Sequence, residues 1–272
     1  MLKPRAGHYL LAASLTLAIS LAGCVSPVAK LHQQARDLDL VALDLDGGKF
    51  TLRGFRNRPR PATDRLHVYL EGDGRPWERG LIPAAEPTTR DSVVLPLMAG
   101  DPAPSLYLGR PCYSGHTEDP GCGSELWTGG RYGESVVASM AQALLHFAEQ
   151  NGYRELVLIG HSGGGTLALL LAERLPQTLA VITLAGNYDI DRWTDYHGYQ
   201  RLQNSLNPAI RPPGSVPEWH LLGERDTTIP PALFESALRT RPHAHVIRVD
   251  ADHSRGWQAI WPEMLRRLPS AR

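Results

Sequence analysis

Hydrophobic positions along the chain follow two spacings, which alternate from about residue 130 onward. Short apolar runs rich in β-branched or aromatic residues are typical of strands, and they occupy residues 38–45, 49–53, 66–70, 93–97, 156–159, 179–184, 219–222 and 245–249. Apolar residues at helical spacing occupy residues 134–150, 166–175, 231–239 and 257–268. Strands that alternate with helices predict an α/β fold, with a mostly parallel sheet covered by helices on both faces.

Two segments depart from this alternation. The first two strand-like runs are joined by Asp46-Gly47-Gly48, which predicts an antiparallel hairpin at the start of the domain. Residues 186–216 are rich in Asn, Pro, Gly and aromatic residues, and we interpret them as an insertion or lid over the strand ends. Residues 98–131 are expected to be irregular.

The N-terminus has the pattern of an export signal. Lys3 and Arg5 precede an apolar run over residues 9–22. A permanent membrane-spanning helix needs about 20 residues, so this run is short for one. We therefore predict a cleaved signal peptide over residues 1–23; the alternative is a retained anchor helix.

The end of that segment, Leu21-Ala22-Gly23-Cys24, resembles the lipobox of bacterial lipoproteins. The resemblance implies that Cys24 becomes the first mature residue and carries lipid. Val25 stands where Asp favours inner-membrane retention, which implies an outer-membrane protein facing the periplasm. We expect residues 24–37 to be the lipidated cysteine and a tether, and residues 38–272 to be the folded domain.

Length and composition limit the size of the fold and the kinds of partner that are expected. Removal of 23 residues leaves 249, enough for one large α/β domain with a sizeable core. There are 28 basic and 28 acidic residues and no basic block, so nucleic acid is not expected as a partner. We expect a monomer.

Two cysteines remain once Cys24 is assigned to lipid. Cys112 and Cys122 in an exported chain predict a disulfide. Metal binding is the alternative, but no CxxC or HxxxH spacing accompanies the pair, and no metal site is predicted.

The strongest chemical motif is Gly160-His161-Ser162-Gly163-Gly164, which fits G-x-S-x-G. It stands between an apolar strand and a helix, the setting of a nucleophile elbow. The helix N-terminus then faces the developing oxyanion. We predict that Ser162 is a nucleophile; the alternative is a Gly-rich turn with an incidental serine.

A serine nucleophile needs a base, and in elbow enzymes the acid and then the histidine follow the serine. The histidines after Ser162 are His197, His220, His243, His245 and His253. Only His253 lies in a loop after the last strand and before the last helix, so we predict it as the base.

The predicted acid is Asp226, in a loop between a strand and a helix, where it would orient the imidazole. Its alternative role is to cap the next helix. Glu224 in the same loop is the second candidate, and Asp189 and Asp191 come third.

Two backbone N–H groups should form the oxyanion hole. Gly163 directly follows the nucleophile and supplies one. The loop after the third strand, Glu71-Gly72-Asp73-Gly74, supplies the other, from Asp73 or alternatively Gly74. An ordinary Gly-rich turn is the competing interpretation.

These motifs together, GHSGG, GERDTTIP and ADHSRGW in this order, resemble the α/β-hydrolase superfamily from Leu38 to the end of the chain. More narrowly, the chain is similar to exported α/β-hydrolase lipoproteins of proteobacteria. EGDG departs from the HGGG of many lipases, which leaves the second donor open. The resemblance implies hydrolysis of a small acyl ester through an acyl-enzyme, without metal or cofactor. Acyl transfer, peptide hydrolysis and a non-catalytic envelope lipoprotein are the alternatives.

Overall fold

The computed structural model describes residues 25–58 and 63–268, so the signal segment and Cys24 lie outside the described residues. The strands are β1 Val41–Asp46, β2 Thr51–Arg56, β3 Arg65–Leu70, β4 Trp77–Glu78, β5 Ile82–Pro83, β6 Ser105–Leu108, β7 Glu155–His161, β8 Thr178–Leu184, β9 Glu218–Gly223 and β10 Ala244–Val249. The α-helices are α1 Pro27–Asp37, α2 Val94–Ala99, α3 Glu134–Asn151, α4 Gly163–Ala172, α5 Ile190–His197, α6 Pro231–Arg239 and α7 Trp257–Arg267. Single 3₁₀ turns occupy Ser124–Trp127 and Pro208–Ile210.

Eight strands form one sheet in the order β1-β2-β6-β3-β7-β8-β9-β10. β2 runs antiparallel to both of its neighbours, and every other pairing in the sheet is parallel. The predicted α/β class, the mostly parallel sheet and the N-terminal hairpin are thus confirmed. The parallel strands end together at one edge, which we call the carboxyl edge.

The centre of the sheet is the core of the molecule. β3 is buried along its whole length, and residues 156–159 of β7 have no exposed surface. Both faces of these strands are covered, which is why they are continuous apolar runs instead of alternating ones. Each such aliphatic side chain contributes about 1.5–3 kcal/mol by its burial. The loops at the carboxyl ends of these strands are therefore built on a rigid base.

The expectation of a tether before the domain is wrong for Pro27–Asp37, which form α1. The Ser26 hydroxyl caps this helix by accepting a bond from Ala29 N–H, and Pro27 occupies its first turn. Leu31 and Ala35, four residues apart, are buried in the core. The sequence signal was weak because the rest of this helix is largely polar.

Residues 93–97 do not form the predicted strand; Val94–Ala99 form α2 instead. The run is buried on all sides, and periodicity alone does not separate a buried strand from a buried helix. Ser92 Oγ accepts a hydrogen bond from a first-turn N–H, and Pro96 lies early enough in the helix to be tolerated. The strand that sequence reasoning missed is Ser105–Leu108, four residues inside the segment expected to be irregular.

Cys112 and Cys122 are joined by a disulfide, which closes a loop after β6. This is the pairing that the sequence predicted. In the described part of the chain, no helix has the length and apolar character needed to cross a membrane.

Candidate active site

Ser162 lies in a sharp turn between β7 and α4, with φ of 53° and ψ of −121°. A non-glycine residue with positive φ is uncommon and marks local strain. The turn needs glycines around it, since a Cβ at Gly160 would lie 2.1 Å from the carbonyl oxygen of Gly164. A Cβ at Gly164 would lie 2.1 Å from the carbonyl oxygen of Leu70. The motif thus forms the tight elbow that its glycines predict.

The structure brings Ser162, His253 and Asp226 together. His253 Nε2 lies 3.1 Å from Ser162 Oγ, and His253 Nδ1 lies 2.8 Å from Asp226 Oδ2. The Asp226 side chain has no exposed surface, and its other oxygen accepts bonds of 2.8 Å from Thr228 N–H and Ile229 N–H. Asp226 therefore orients the imidazole so that Nε2 faces the serine hydroxyl.

The alternative candidates lie elsewhere. Glu224 is exposed to solvent, and Asp189 caps α5 through the N–H groups of residues 191 and 192. His220 is buried between Glu218 and Thr183. None of these side chains touches the hydrogen-bonded chain that ends at Ser162.

A second histidine, His161, stabilises the loop that carries His253. His161 Nε2 donates a 2.7 Å hydrogen bond to the carbonyl oxygen of His253. Trp257 Nε1 lies 3.3 Å from the same oxygen. His161, the residue before Ser162, therefore holds the loop that carries His253.

The loop after β3 lies beside the nucleophile. A Cβ at Gly72 would be 3.4 Å from Ser162 Cβ, so the next residue, Asp73, is adjacent to the elbow. The carbonyl of Asp73 accepts a 3.1 Å bond from the Tyr113 hydroxyl. Gly74 has φ of 66°, and a Cβ there would lie 2.1 Å from Pro87 O, which accounts for a glycine at that position.

Gly163 is the first residue of α4, so its N–H points out of the helix N-terminus. Within the part of the chain that the structure describes, the N–H groups of Gly163 and Asp73 have no backbone partner. Gly163 directly follows Ser162 and the loop that carries Asp73 lies against it, so these two N–H groups are the candidate donors to an oxyanion.

The carboxylate of Asp73 is held in a buried polar cluster that sequence reasoning missed. Arg110 Nη2 and Arg131 Nη1 each donate a 2.9 Å bond to it, one to each oxygen. The Tyr132 hydroxyl is 2.6 Å from Oδ1, and the guanidinium of Arg110 lies over the rings of Tyr113 and Tyr132. No local signal reveals this cluster, because the groups that bond to the Asp73 carboxylate lie 37 to 59 residues from it in the chain.

The arginines decide the electrostatics beside the elbow. Burial alone would raise the pKa of Asp73, but the charges of Arg110 and Arg131 and the bond from Tyr132 hold it below its ordinary value. Asp73 is therefore ionised, and two guanidinium charges face one carboxylate. The two guanidinium charges offset the repulsion that Asp73 alone would exert on a nearby oxyanion.

Within the segment 186–216, residues 193–206 pack over the carboxyl edge. Trp193 Nε1 and His197 Nε2 lie 3.1 and 2.8 Å from the carbonyl oxygen of Thr228, in the loop that carries the acid. Leu206 N–H donates a 3.1 Å bond to Tyr132 O. The insertion thus rests on the acid loop and on the Asp73 cluster.

Two other features bear on cofactors and ligands. Across residues 25–58 and 63–268, no group of three or more His, Cys, Asp or Glu side chains is arranged to hold a metal ion. A surface cleft of about 470 Å³ lies between β1 and the second half of α3. It contains none of the residues around Ser162, and we do not assign the chemistry to it.

An eight-stranded sheet of this order, with a serine elbow after β7 and acid and histidine loops after β9 and β10, defines the α/β-hydrolase fold. The chain is similar to an esterase from Pyrococcus furiosus, with a TM-score of 0.58, 15% identity, and coverage of 86% of this chain and 90% of that one. It is also similar to an α/β serine hydrolase without lid from Xanthomonas campestris, with a TM-score of 0.55, 16% identity, and coverage of 86% and 97%. A membrane phospholipase A described as a bacterial virulence factor gives a TM-score of 0.56, 14% identity, and coverage of 88% and 91%.

At these identities the likeness shows the fold. Neither the protein-family models nor the curated proteins include a match to this chain. The chemistry therefore has to be argued from the site itself.

Proposed function

We propose that this protein is a serine hydrolase that cleaves a carboxylic ester through an acyl-enzyme on Ser162. The observation that carries the proposal is the continuous chain of hydrogen bonds from Ser162 through His253 to the buried Asp226. Ser162 lies in a strained elbow at the carboxyl edge of the sheet, where α/β proteins bind their ligands. The structural neighbours that are named as esterase, serine hydrolase and phospholipase A support the same reaction class.

The mechanism follows from the order of the groups. His253 Nε2 removes the proton from Ser162 Oγ as the oxygen attacks the ester carbonyl, and Asp226 stabilises the imidazolium that results. Collapse of the tetrahedral intermediate expels the alcohol, which takes that proton. Water then attacks the acyl-enzyme, giving its proton to His253, and the carboxylic acid leaves as Ser162 is restored.

The negative oxygen of both tetrahedral intermediates needs donors that are already in place. The N–H of Gly163, at the N-terminus of α4, is one, and the N–H of Asp73 is the other. One such donor is worth about 10²- to 10³-fold in rate. Arg110, Arg131 and Tyr132 fix the Asp73 side chain and so hold this loop against the elbow.

Hydrolysis is favoured over acyl transfer by the exposure of the site. The His253 side chain is 22% exposed, so water reaches the base that would activate it. A non-catalytic role on the same fold is disfavoured because all three polar groups are present and hydrogen-bonded. Peptide hydrolysis would use the same groups, and it is separated from ester hydrolysis by substrate tests.

We further propose that Cys24 carries lipid and anchors the protein to the outer membrane, facing the periplasm. The support is the sequence of the first 24 residues, with its basic start, apolar run and Leu-Ala-Gly-Cys end. Cells fed an alkyne fatty acid should label the full-length chain, and Cys24→Ala should abolish the labelling. Labelling that survives this substitution would contradict the proposal.

The hydrolase proposal is tested with a fluorophosphonate probe, which reacts only with an activated serine. We expect the wild type to be labelled, and Ser162→Ala and His253→Ala to lose labelling while their circular dichroism is unchanged. Ser254→Ala is the matched control, because this exposed serine adjoins His253 and lies outside the hydrogen-bonded chain. A folded wild type that is not labelled would refute the proposal.

A further inference from the structure

A short hairpin beside the site exposes apolar side chains to solvent. β4 and β5 pair across residues 77–83, and Trp77, Leu81 and Ile82 are 40%, 83% and 59% exposed. These are three of the eight large hydrophobic residues exposed in the described part of the chain, and they fall within six positions. Single exposed apolar residues are ordinary, but a cluster marks an interaction surface.

The base of this hairpin is fixed. Ala84 N–H donates a 2.9 Å bond to Pro76 O, and Trp127 Nε1 donates a 3.1 Å bond to Ala84 O. The hairpin therefore presents its apolar tip from a rigid support, and the tip does not fold back onto the domain.

The hairpin borders the entrance to the site. It begins directly after the oxyanion loop, whose Gly72 lies against Ser162. Trp77 follows Gly72 by five positions in the chain, a stretch that spans at most about 18 Å. Whatever the hairpin tip contacts is therefore close to the mouth of the active site.

The start of α1 lies near the same part of the molecule. Val28, near the start of α1, lies 3.8 Å from where a Gly115 side chain would begin. Gly115 N–H donates a 3.1 Å bond to Glu86, in the segment that follows the hairpin. The start of α1 thus lies close to Gly115, which is bonded to Glu86, three residues after the end of the hairpin.

Helix α1 makes the link to residue 24 short. Only Val25 and Ser26 separate Cys24 from the first helical residue, so a lipid on Cys24 would lie within about 10 Å of the helix start. A flexible tether over residues 24–37 would have let the domain face in any direction. The docked helix instead restrains the domain with its carboxyl edge toward the anchor.

We propose that this edge docks on the phospholipid bilayer through the β4–β5 hairpin, and that the site draws its acyl esters from membrane lipids. This deepens the proposed hydrolase function and rests on it. Leu81 and Ile82 enter the acyl region, and Trp77 lies at the headgroup level, where amphipathic indole rings are enriched. Arg75, two residues before the hairpin, and Arg79, in its turn, are exposed cations that contact lipid phosphates, and they outnumber the exposed carboxylate of Glu78.

Vesicle binding tests the docking without the lipid anchor. Residues 25–272, which hold every described helix and strand, are sedimented with vesicles of phosphatidylethanolamine and phosphatidylglycerol. We expect binding, and at least a tenfold lower partition coefficient for the double variant Leu81→Ser/Ile82→Ser. Absence of binding by the wild type, or equal binding by the double variant, overturns the proposal.

The matched control is Ile210→Ser. Ile210 is 80% exposed, and the neighbouring Arg211 pairs with Glu173 just beyond the end of α4, away from the carboxyl edge. This variant should bind vesicles as the wild type does. If Ile210→Ser lowers vesicle binding as much as the hairpin variant does, any exposed apolar residue contributes to binding, wherever it lies. That result would overturn the proposal that the hairpin is the docking site.

Activity separates this proposal from the hydrolase proposal. The hairpin variant should react with fluorophosphonate and hydrolyse a water-soluble p-nitrophenyl ester within twofold of the wild type, but lose at least tenfold on phospholipid vesicles. If the wild type binds vesicles but does not react with fluorophosphonate, the docking proposal is supported and the hydrolase proposal is refuted. If the wild type is instead a dimer in analytical ultracentrifugation and the hairpin variant a monomer, a second copy covers the tip and the lipid proposal is overturned.

Discussion

Substitution of Gly163 by alanine tests the oxyanion geometry most directly. A Cβ at this position would lie 1.9 Å from Asp73 Oδ1 and 2.3 Å from the Tyr132 hydroxyl. A contact below 3.0 Å forces something to move, which is easy only for the end of a flexible side chain. Asp73 is not flexible, because Arg110 and Tyr132 bond to that same oxygen and Arg131 bonds to the other.

The size of the effect follows from what must move. The carboxylate has to shift by more than 1 Å, and this breaks or distorts the two bonds at Oδ1. Hydrogen bonds to a charged group contribute about 1.5–3 kcal/mol each, so Gly163→Ala should lower the free energy of unfolding by about 3–6 kcal/mol. Since the same shift displaces one or both of the proposed oxyanion donors, the rate on an ester should fall by about 10²- to 10³-fold.

The assay combines urea unfolding with the second-order rate of fluorophosphonate inactivation and kcat/KM on p-nitrophenyl butyrate. Gly123→Ala is the control, because no atom lies within 4 Å of its Cβ position and its φ is −164°. Without the clash, alanine would be favoured over glycine in a helix by about 0.5–1 kcal/mol. A Gly163→Ala protein that is more stable than the wild type, or within threefold of its activity, would therefore refute the reasoning.

Three further predictions concern the acid, the disulfide and a buried ion pair. Asp226→Asn should lower kcat by about 10⁴-fold, because the wrong tautomer faces the serine, and a loss below tenfold would argue against Asp226 as the acid. Replacement of both Cys112 and Cys122 by serine removes the disulfide, whose cysteines are 10 positions apart, and should lower the free energy of unfolding by about 3 kcal/mol. Urea unfolding measures this loss, and an unchanged midpoint would contradict the prediction. Burial raises the pKa of Glu218, but bonds from His220 and Arg241 outweigh it and lower that pKa from 4.5 to about 2. The stability that ionised Glu218 contributes is therefore complete above pH 4.5 and is lost as the pH falls toward 2. Glu218→Gln should therefore show a smaller decrease in the free energy of unfolding across this pH range than the wild type does. Parallel curves of unfolding free energy against pH for the two proteins would contradict this prediction.

The three residues that meet at Ser162 could be predicted from the sequence because each lies in the loop that follows a strand. Ser162 comes after β7, Asp226 after β9 and His253 after β10, and parallel strands bring their carboxyl ends to one edge. Chain order and strand pattern thus suffice to select three residues that lie 64 and 27 positions apart. The same reasoning placed the Gly72–Asp73 turn beside the elbow, since it follows the adjacent strand β3.

The failures have physical causes as well. Helix α1 has a narrow apolar stripe of Leu31 and Ala35, too little to separate a docked helix from a tether. The run at α2 is apolar on every side, and no period distinguishes helix from strand there. β6 is four residues long and lies in a stretch rich in glycine and proline, where local preference points to a loop.

The sequence by itself determined the fold class, the elbow and the order of the serine, acid and histidine that meet there, because these depend on local periodicity, turn chemistry and the geometry of parallel strands. Only the tertiary structure decided that Arg110 and Arg131 bind the Asp73 carboxylate, that His161 holds the His253 loop, and that α1 packs on the domain. Each of these depends on contacts between segments far apart in the chain. Such contacts arise from the packing of the whole sheet, and no local pattern of residues encodes them.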